Sequence, residues 1–220
     1  MKRKIVVTAD GSTTIQLEEW NEQYHSKHGA IQEAYHVFIK SGLFAVGKPK
    51  ISILEMGFGT GLNALITFWE AEKCNWHIDY TGVEAFPVSD RELLQLNYVG
   101  KLGDEKLNPI FKAMHQVSWD LQHTISPTFR LQKRRNSFFE VKAEEEFDLI
   151  YFDAFGPRVQ PGLWTVSVFK KMVTALKNDG ILVTYSAKGS VRRNLQEVGF
   201  AVERLPGPPG KREMLRATKV

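Results

Sequence analysis

Three alternating glycines, Gly57, Gly59 and Gly61, stand between the acidic Glu55 and Asn63. Glycines at this spacing let backbone approach a bound molecule closely, and a helix beginning there turns unpaired N–H groups toward it. Two further carboxylates sit in comparable settings, Glu84 in Gly82-Val83-Glu84-Ala85-Phe86-Pro87 and Asp153 in Asp153-Ala154-Phe155-Gly156-Pro157. A carboxylate placed like Glu84 can accept both hydroxyls of a ribose. One placed like Asp153 can orient an amine and accept its proton. An aliphatic amine is mostly protonated at neutral pH, so its lone pair is blocked until that proton leaves. The chemistry on offer is therefore a nucleoside-bearing ligand held beside an amine.

The form of the glycine loop narrows the ligand. A dinucleotide fingerprint, G-x-G-x-x-G, would need its last glycine where Leu62 stands. An acidic residue followed by G-x-G-x-G instead resembles motif one of class I S-adenosylmethionine-dependent methyltransferases. That donor has no pyrophosphate and carries a positive sulfonium, which a nearby carboxylate favours and a diphosphate would not tolerate. On the loop alone, a nicotinamide or flavin cofactor and a purely structural turn remain open. A second glycine pattern, Gly42 to Lys48, imitates a phosphate loop. Pro49 occupies the position of the magnesium-binding hydroxyl, and the pattern precedes the first strong strand, so it is rejected.

These carboxylates must lie at strand ends to meet. Short β-branched runs predict strands at Ile51–Met56, Trp76–Glu84, Phe129–Lys133, Phe147–Phe152 and Ile181–Tyr185. Helical spacing predicts helices over Ala30–Lys40, Leu62–Cys74, Asp90–Tyr98 with Ser89 as cap, Thr165–Asn178 and Ser190–Val198. Phe111–Thr124 reads as helical or irregular, Ser41–Pro49 as a connector, and Phe200–Leu205 with Glu213–Thr218 as a terminal hairpin. Alternating strands and helices predict an α/β, Rossmann-like architecture, a mostly parallel sheet covered on both faces. Ligands of such sheets bind at the carboxyl ends of the strands. The chain divides into an N-terminal extension, 1–48, expected to pack over the cofactor site, and a main domain, 49–220.

Composition sets the outer bounds. The 220 residues are 43% hydrophobic and 25% charged, which excludes a disordered or disulfide-built chain as the main story. The net charge of +4 is compatible with a polyanionic partner without requiring one. The single cysteine, Cys74, rules out an intramolecular disulfide and a Cys-rich zinc site. His25, His28 and His36 lack partners at ligand spacing, so no metal is expected. No apolar segment reaches the ~18 residues of a membrane span, and the short apolar run after Met1 falls short of a signal peptide. The expectation is a cytoplasmic protein without membrane contact, its oligomeric state undetermined.

One segment is far more specific. Asp153 through Thr165 spells D-A-F-G-P-R-V-Q-P-G-L-W-T. It closely resembles a segment of the methyltransferase domain of the tRNA 5-methylaminomethyl-2-thiouridine biosynthesis family. Further motifs agree in order: Tyr24-His25-Ser26, Glu33 to Phe38, Glu55 to Asn63, Glu84 to Pro87, Val191-Arg192-Arg193 with Gly199-Phe200, and Gly210 to Leu215. The resemblance implies a class I methyltransferase fold, with a seven-stranded sheet, six strands parallel and one antiparallel. It implies methyl transfer from S-adenosylmethionine to the aminomethyl nitrogen of a wobble uridine, with tRNA as partner and product 5-methylaminomethyl-(2-thio)uridine. Gly57, Gly59, Gly61 and Glu84 carry over as donor-site residues, with Glu55, Asn63 and Asp153 shaping that site. Asp153 carries over as the catalytic residue, Phe155 and Pro157 as the acceptor loop, and Trp164 as its packing.

Two departures stand out. Many relatives carry a fused flavin oxidoreductase domain, which a chain ending at Val220 is expected to lack, and with it FAD. Relatives usually show an Asp after the third strand; Asn136 is the residue here that could face the adenine. The basic residues Arg158, Lys188, Arg192, Arg193, Lys211 and Arg212 are expected to gather at the mouth and neutralise phosphates. Tyr24, Phe155 and Trp164 are candidate platforms for a flipped base. Two alternatives remain at this stage. One is a small-molecule transferase of the same fold, such as an aminopropyltransferase, whose pocket would be lined by further acids. The other is a tRNA-binding module without catalysis.

Overall fold

The computed structural model describes residues 2–220. The chain opens with a small antiparallel sheet of β1 (Arg3–Val7), β2 (Thr13–Leu17) and β3 (Glu22–Gln23). This sheet is not foreseen from the sequence. Helix α1 (Ala30–Ala34) then runs on through a π-helical stretch, Tyr35–Leu43, into the turn α2 (Phe44–Val46). The expected connector after Ser41 is thus helical almost to Pro49.

The main body follows as β4 (Lys50–Met56), α3 (Leu62–Cys74), β5 (His77–Val83), α4 (Asp90–Leu93), α5 (Tyr98–Leu102), α6 (Leu107–Gln116), β6 (Gln122–Ser126) and β7 (Phe129–Arg134). A 3-10 turn (Phe138–Glu140) leads to β8 (Phe147–Phe152), and a second (Pro161–Trp164) to α7 (Val166–Ala175) and β9 (Leu176–Thr184). Helix α8 (Gly189–Glu197) and the hairpin β10 (Phe200–Pro206) and β11 (Glu213–Lys219) complete the chain.

The main sheet has eight strands in the order β10-β11-β9-β8-β4-β5-β7-β6. From β9 to β7 every pairing is parallel, and β11 runs antiparallel to both β9 and β10. The expected seven strands are all present, and the eighth, β6, adds antiparallel to β7 at one edge. It corrects the reading of Phe111–Thr124 as helical or irregular: α6 stops at Gln116 and the chain turns into a polar edge strand. Helix α7 also ends earlier than Asn178. Leu176 already pairs with Phe147, and a register shift with Asp179 at φ 61° carries the extra residues. Of the stretch Asp90–Tyr98, expected as one helix, only Asp90–Leu93 forms α4; residues 94–97 are not helical, and α5 starts at Tyr98.

Side chains of β4 alternate between the two faces of the sheet, as strand geometry requires. Ile51 and Ile53 join the core on one face, with α3 and the π-helical stretch, while Leu54 and Met56 join the other, with α7 and α8. All six residues of β8 are buried, as befits a central strand covered on both sides. The π-helical stretch packs against β9 and β8. Gly42 permits this: a Cβ there would lie 3.1 Å from Val183 and 3.2 Å from the Tyr151 ring. The helical half of the N-terminal region therefore belongs to the core layer of the main sheet.

Candidate active site

The carboxyl ends of β4, β5 and β8 open into a cavity of about 1060 Å³. This slightly exceeds the ~300–1,000 Å³ typical of ligand pockets, room enough for two ligands side by side. Its floor is the glycine loop. Its roof comes from residues 17–28 of the N-terminal region, and its far wall from Phe155, Tyr185 and Lys211.

Each loop glycine lies at positive φ: 101° for Gly57, 49° for Gly59 and 73° for Gly61. The space a Cβ would take is filled by protein. The Asp153 carbonyl oxygen lies 2.7 Å from the Gly57 Cβ position, the Tyr24 ring 3.1 Å from that of Gly59, and the His115 imidazole 2.9 Å from that of Gly61. The glycines thus bring three neighbours close to the loop as well as baring its backbone. The N–H groups of Gly57 and Phe58 both donate to the Val83 carbonyl at 3.0 Å, fixing the loop to the end of β5.

Glu84 is tied into the same unit. The Gly59 N–H donates to its Oε2 at 3.0 Å, and the Phe86 N–H to its Oε1 at 2.8 Å. A carboxylate offers about four acceptor sites. Two therefore remain for hydroxyls of a ligand in the cavity that Glu84 lines. Arg3 of β1 closes this edge by donating to the carbonyls of Phe86 at 2.9 Å and Pro87 at 3.2 Å.

Deeper in, one amide joins two acids. Asn63 Nδ2 donates to Glu55 Oε1 at 2.9 Å and to Asp153 Oδ2 at 2.8 Å. Glu55 Oε2, Asn63 Oδ1 and the Tyr80 hydroxyl are buried and meet no hydrogen-bond partner among the described residues. Burial holds the Glu55 carboxyl well above the usual range, and the charge of Asp153 adds to this. The shift disfavours a second negative charge beside Asp153.

Asp153 follows β8, and its N–H donates to the Met56 carbonyl at 3.0 Å. Its side chain is half-buried and lines the cavity. Burial first, then the negative Glu33, push its pKa up to about 7, against the lowering effects of Asn63 and Lys211. An acid poised there exchanges a proton readily near neutral pH.

The acceptor side is aromatic and composite. Phe155 meets Tyr24 edge-on, with centroids 5.0 Å apart, and Trp20 likewise at 5.7 Å. Trp164 is buried behind this loop, its indole N–H donating to the Phe155 carbonyl at 2.8 Å. Arg158 lies outside the cavity lining and pairs with Glu22 of β3 at 2.7 Å. Glu33 from α1 is buried, accepts the Ser26 N–H at 2.7 Å, and pairs with Lys211 at 2.5 Å.

Among the residues singled out from sequence, Tyr24, Gly57, Gly59, Asn63, Glu84, Asp153, Phe155 and Lys211 line this one cavity. Asn136 does not; its neighbours Ser137, Phe138 and Phe139 do. Pro157, Lys188, Arg192, Arg193 and Arg212 also lie outside the lining, so the cavity wall draws one cation from the basic set. Sequence reasoning missed Trp20, Glu33 and Tyr185. Tyr185 directly follows the last parallel strand, the placement that singled out Glu84 and Asp153, and Glu33 is an acid inside an apolar helical run. Among the described residues, no group of three or more His, Cys, Asp or Glu is arranged to hold a metal, and no helix is long and apolar enough to cross a membrane.

With this geometry in place, comparison with known proteins is informative. Residues 128–220 match a family model described as S-adenosyl-L-methionine-dependent methyltransferase. The chain is 31% identical over 216 residues to the tRNA 5-methylaminomethyl-2-thiouridine biosynthesis bifunctional protein MnmC of Paracidovorax citrulli, covering 90% of this chain and 33% of that protein. It is 32% identical over 210 residues to the same-named protein of Ralstonia nicotianae, covering 89% of this chain and 31% of that protein. The chain thus spans about a third of the length of these curated relatives. Among solved structures, MnmC2 from Aquifex aeolicus superposes with a TM-score of 0.78 at 25% identity, covering 98% of this chain and 69% of that one. Spermidine synthase from Thermotoga maritima shares the fold at 15% identity and a TM-score of 0.61, covering 99% of this chain and 68% of that one.

Proposed function

We propose, for a chain that is a class I S-adenosyl-L-methionine-dependent methyltransferase in fold and in its matched family region, that the acceptor is the primary amine of 5-aminomethyl-(2-thio)uridine at the wobble position of tRNA. The product is then 5-methylaminomethyl-(2-thio)uridine, made in the cytoplasm. The observation that carries this reading is Asp153: a carboxyl with pKa about 7 at the junction of the glycine loop and the aromatic acceptor wall.

The site suits the donor on three counts. Glu84 keeps free acceptor sites for ribose hydroxyls, the glycine loop bares backbone, and the acids around it favour a cation. When bound, the donor supplies a methyl carbon on a positively charged sulfur. The residues of this chain do the rest. Asp153, ionised, accepts a proton from the acceptor ammonium and frees its lone pair for attack on that carbon. Asn63 fixes the Asp153 rotamer through Oδ2 and leaves Oδ1 for the amine. Phe155, Tyr24 and Trp20 hold the flat base and exclude water. The product amine keeps its positive charge, and Asp153 returns the extra proton to solvent.

Incubation with the donor and tRNA bearing 5-aminomethyl-uridine, followed by mass analysis of the digested nucleosides, should show a gain of one methyl group. Absence of product with correctly premodified tRNA refutes the reading. A second reading rests on the acids Glu22, Glu33 and Asp153 lining the cavity, which also suit a small polyamine. Turnover of putrescine with the decarboxylated donor would establish it in place of the first.

A further inference from the structure

The Glu33–Lys211 pair sits in an unusual place for an ion pair. Glu33 is 6% exposed and lines the cavity, and Lys211 reaches it from the turn between β10 and β11, 178 residues away in sequence. Lys211 Nζ also stands 3.7 Å from the centroid of the Tyr185 ring. Tyr185 is locked, its hydroxyl donating to the Ala154 carbonyl at 2.8 Å, so the ring face is fixed beside the residue that follows Asp153. A carboxylate on one side and an aromatic face on the other form a cage for a primary ammonium. Glu33, Tyr185, Lys211 and Asp153 all line the same cavity, so the cage and the Asp153 carboxyl open into one volume.

We propose that Glu33 and the Tyr185 ring form a subsite for a primary alkylammonium, and that Lys211 occupies it as an internal stand-in until the acceptor amine displaces it. The exchange is one ammonium for another, so the buried Glu33 carboxylate is never left without a cation. Lys211 is suited to yield. It is partly exposed and ends a flexible stem on a turn, and among the described residues its Nζ is held by Glu33 and the Tyr185 ring alone. This assigns Glu33 and Tyr185 to acceptor binding. It also takes Lys211 away from the phosphate contacts expected from sequence. The proposal deepens the functional reading above and rests on it only for the identity of the amine.

Two measurements decide it. In steady-state methylation of aminomethyl-tRNA, Lys211→Met should lower the acceptor KM, because the internal competitor is gone, and move the acid limb of the kcat/KM profile to higher pH, because Lys211 holds the Asp153 pKa down. Glu33→Gln should raise the acceptor KM by about tenfold or more, as expected for losing a charged hydrogen bond, with donor affinity unchanged. Tyr185→Phe, which keeps the ring but frees it from the Ala154 carbonyl, should raise the acceptor KM less than Tyr185→Leu, which removes the ring. A raised KM for Lys211→Met, with a log–log salt slope shallower by about 0.7–0.9, would mean a phosphate contact and overturn the proposal. The second measurement needs no methyl transfer. In the full chain, the Lys211 ammonium should give a protected 15N–1H signal that ethylammonium abolishes and tetramethylammonium does not. A signal indifferent to ethylammonium overturns the subsite. If the wild-type protein methylates no aminomethyl-tRNA while ethylammonium still displaces Lys211, the functional reading falls and the subsite stands.

Discussion

The two halves of the cavity are built in opposite ways. The donor half is local: Glu55, the three glycines and Asn63 lie within nine residues, and Glu84 follows on the neighbouring strand, already hydrogen-bonded to the loop. The acceptor half is assembled from Trp20 and Tyr24, Glu33, Phe155, Tyr185 and Lys211, drawn from both ends of the chain and its middle. Local construction on parallel strand ends gives a rigid, reusable ligand cradle. Construction from distant loops allows one fold to take different acceptors. Asp153 belongs to both, bonded to the donor half through Asn63 and facing the acceptor wall.

The largest expected effect tests that junction. Asp153→Asn should lower kcat by about 10²- to 10⁴-fold, the usual range for removing a general base. Donor affinity, measured by calorimetry, should be nearly unchanged; an equal loss of both would show that the halves are not separable. In the wild type, activity requires the ionised form of a group with pKa about 7, so kcat/KM should fall about tenfold per pH unit below that value. The stability sign is opposite. The folded chain holds the Asp153 proton up to about pH 7, the unfolded chain only to the ordinary carboxyl value of 3.8, so this group's contribution to stability declines as pH rises through that window. Asp153→Asn should therefore melt higher than wild type at pH 8, a measure of the stability given up for function.

Next in size is Gly57→Ala. The substituted residue would be held at φ 101° with its Cβ 2.7 Å from the Asp153 carbonyl oxygen, a backbone atom that cannot swing away. A loss of ~1–3 kcal/mol, read from denaturant unfolding, is expected for strain of this kind. Donor binding and transfer should fall together, because the displaced atoms belong to both halves. Gly59→Ala meets the Tyr24 ring at 3.1 Å instead. A ring can give way, so the smaller cost should fall on acceptor KM more than on donor affinity.

The same contrast explains what the sequence could disclose. Glu55 to Asn63, Glu84 and the Asp153 loop were legible because residue types required by one ligand sit close together at strand ends. The parallel strands were legible because β8 is apolar but for Asp148, and β4 and β5 carry apolar residues at alternate positions, Ile51 and Ile53, Ile78 and Tyr80. Edge strand β6, Gln122-His123-Thr124-Ile125-Ser126, has one apolar residue and a single neighbouring strand, so no alternation announces it. Glu33 and Lys211 carry no mutual signal across 178 positions, and each alone reads as a surface charge. The basic residues carry no such signal either: positive charge in sequence says nothing about which side of the strand ends it reaches, and of the set Lys211 lines the cavity. The N-terminal residues 30–46 resist division into extension and domain, since their helical part fills one face of the main sheet.

The smallest effect concerns the seam between N-terminal sheet and acceptor loop. Arg158 is 69% exposed where it pairs with Glu22 at 2.7 Å, and the seam also holds the edge contact of Trp20 with Phe155. An exposed pair contributes about 0.2–1 kcal/mol, so Arg158→Ala should barely shift the melting temperature. Its effect on catalysis depends on which half the seam serves. If it only steadies the N-terminal roof over the aromatic wall, Glu22→Gln and Arg158→Ala should raise acceptor KM to the same modest degree, and the double variant should add nothing. If Arg158 instead meets a phosphate of the acceptor, only Arg158→Ala should weaken binding, and the loss should shrink as salt rises. Neither variant should alter donor affinity, because no bond from this seam reaches Glu84 or the glycine loop; a change there would mean that the distant-loop half positions the local one.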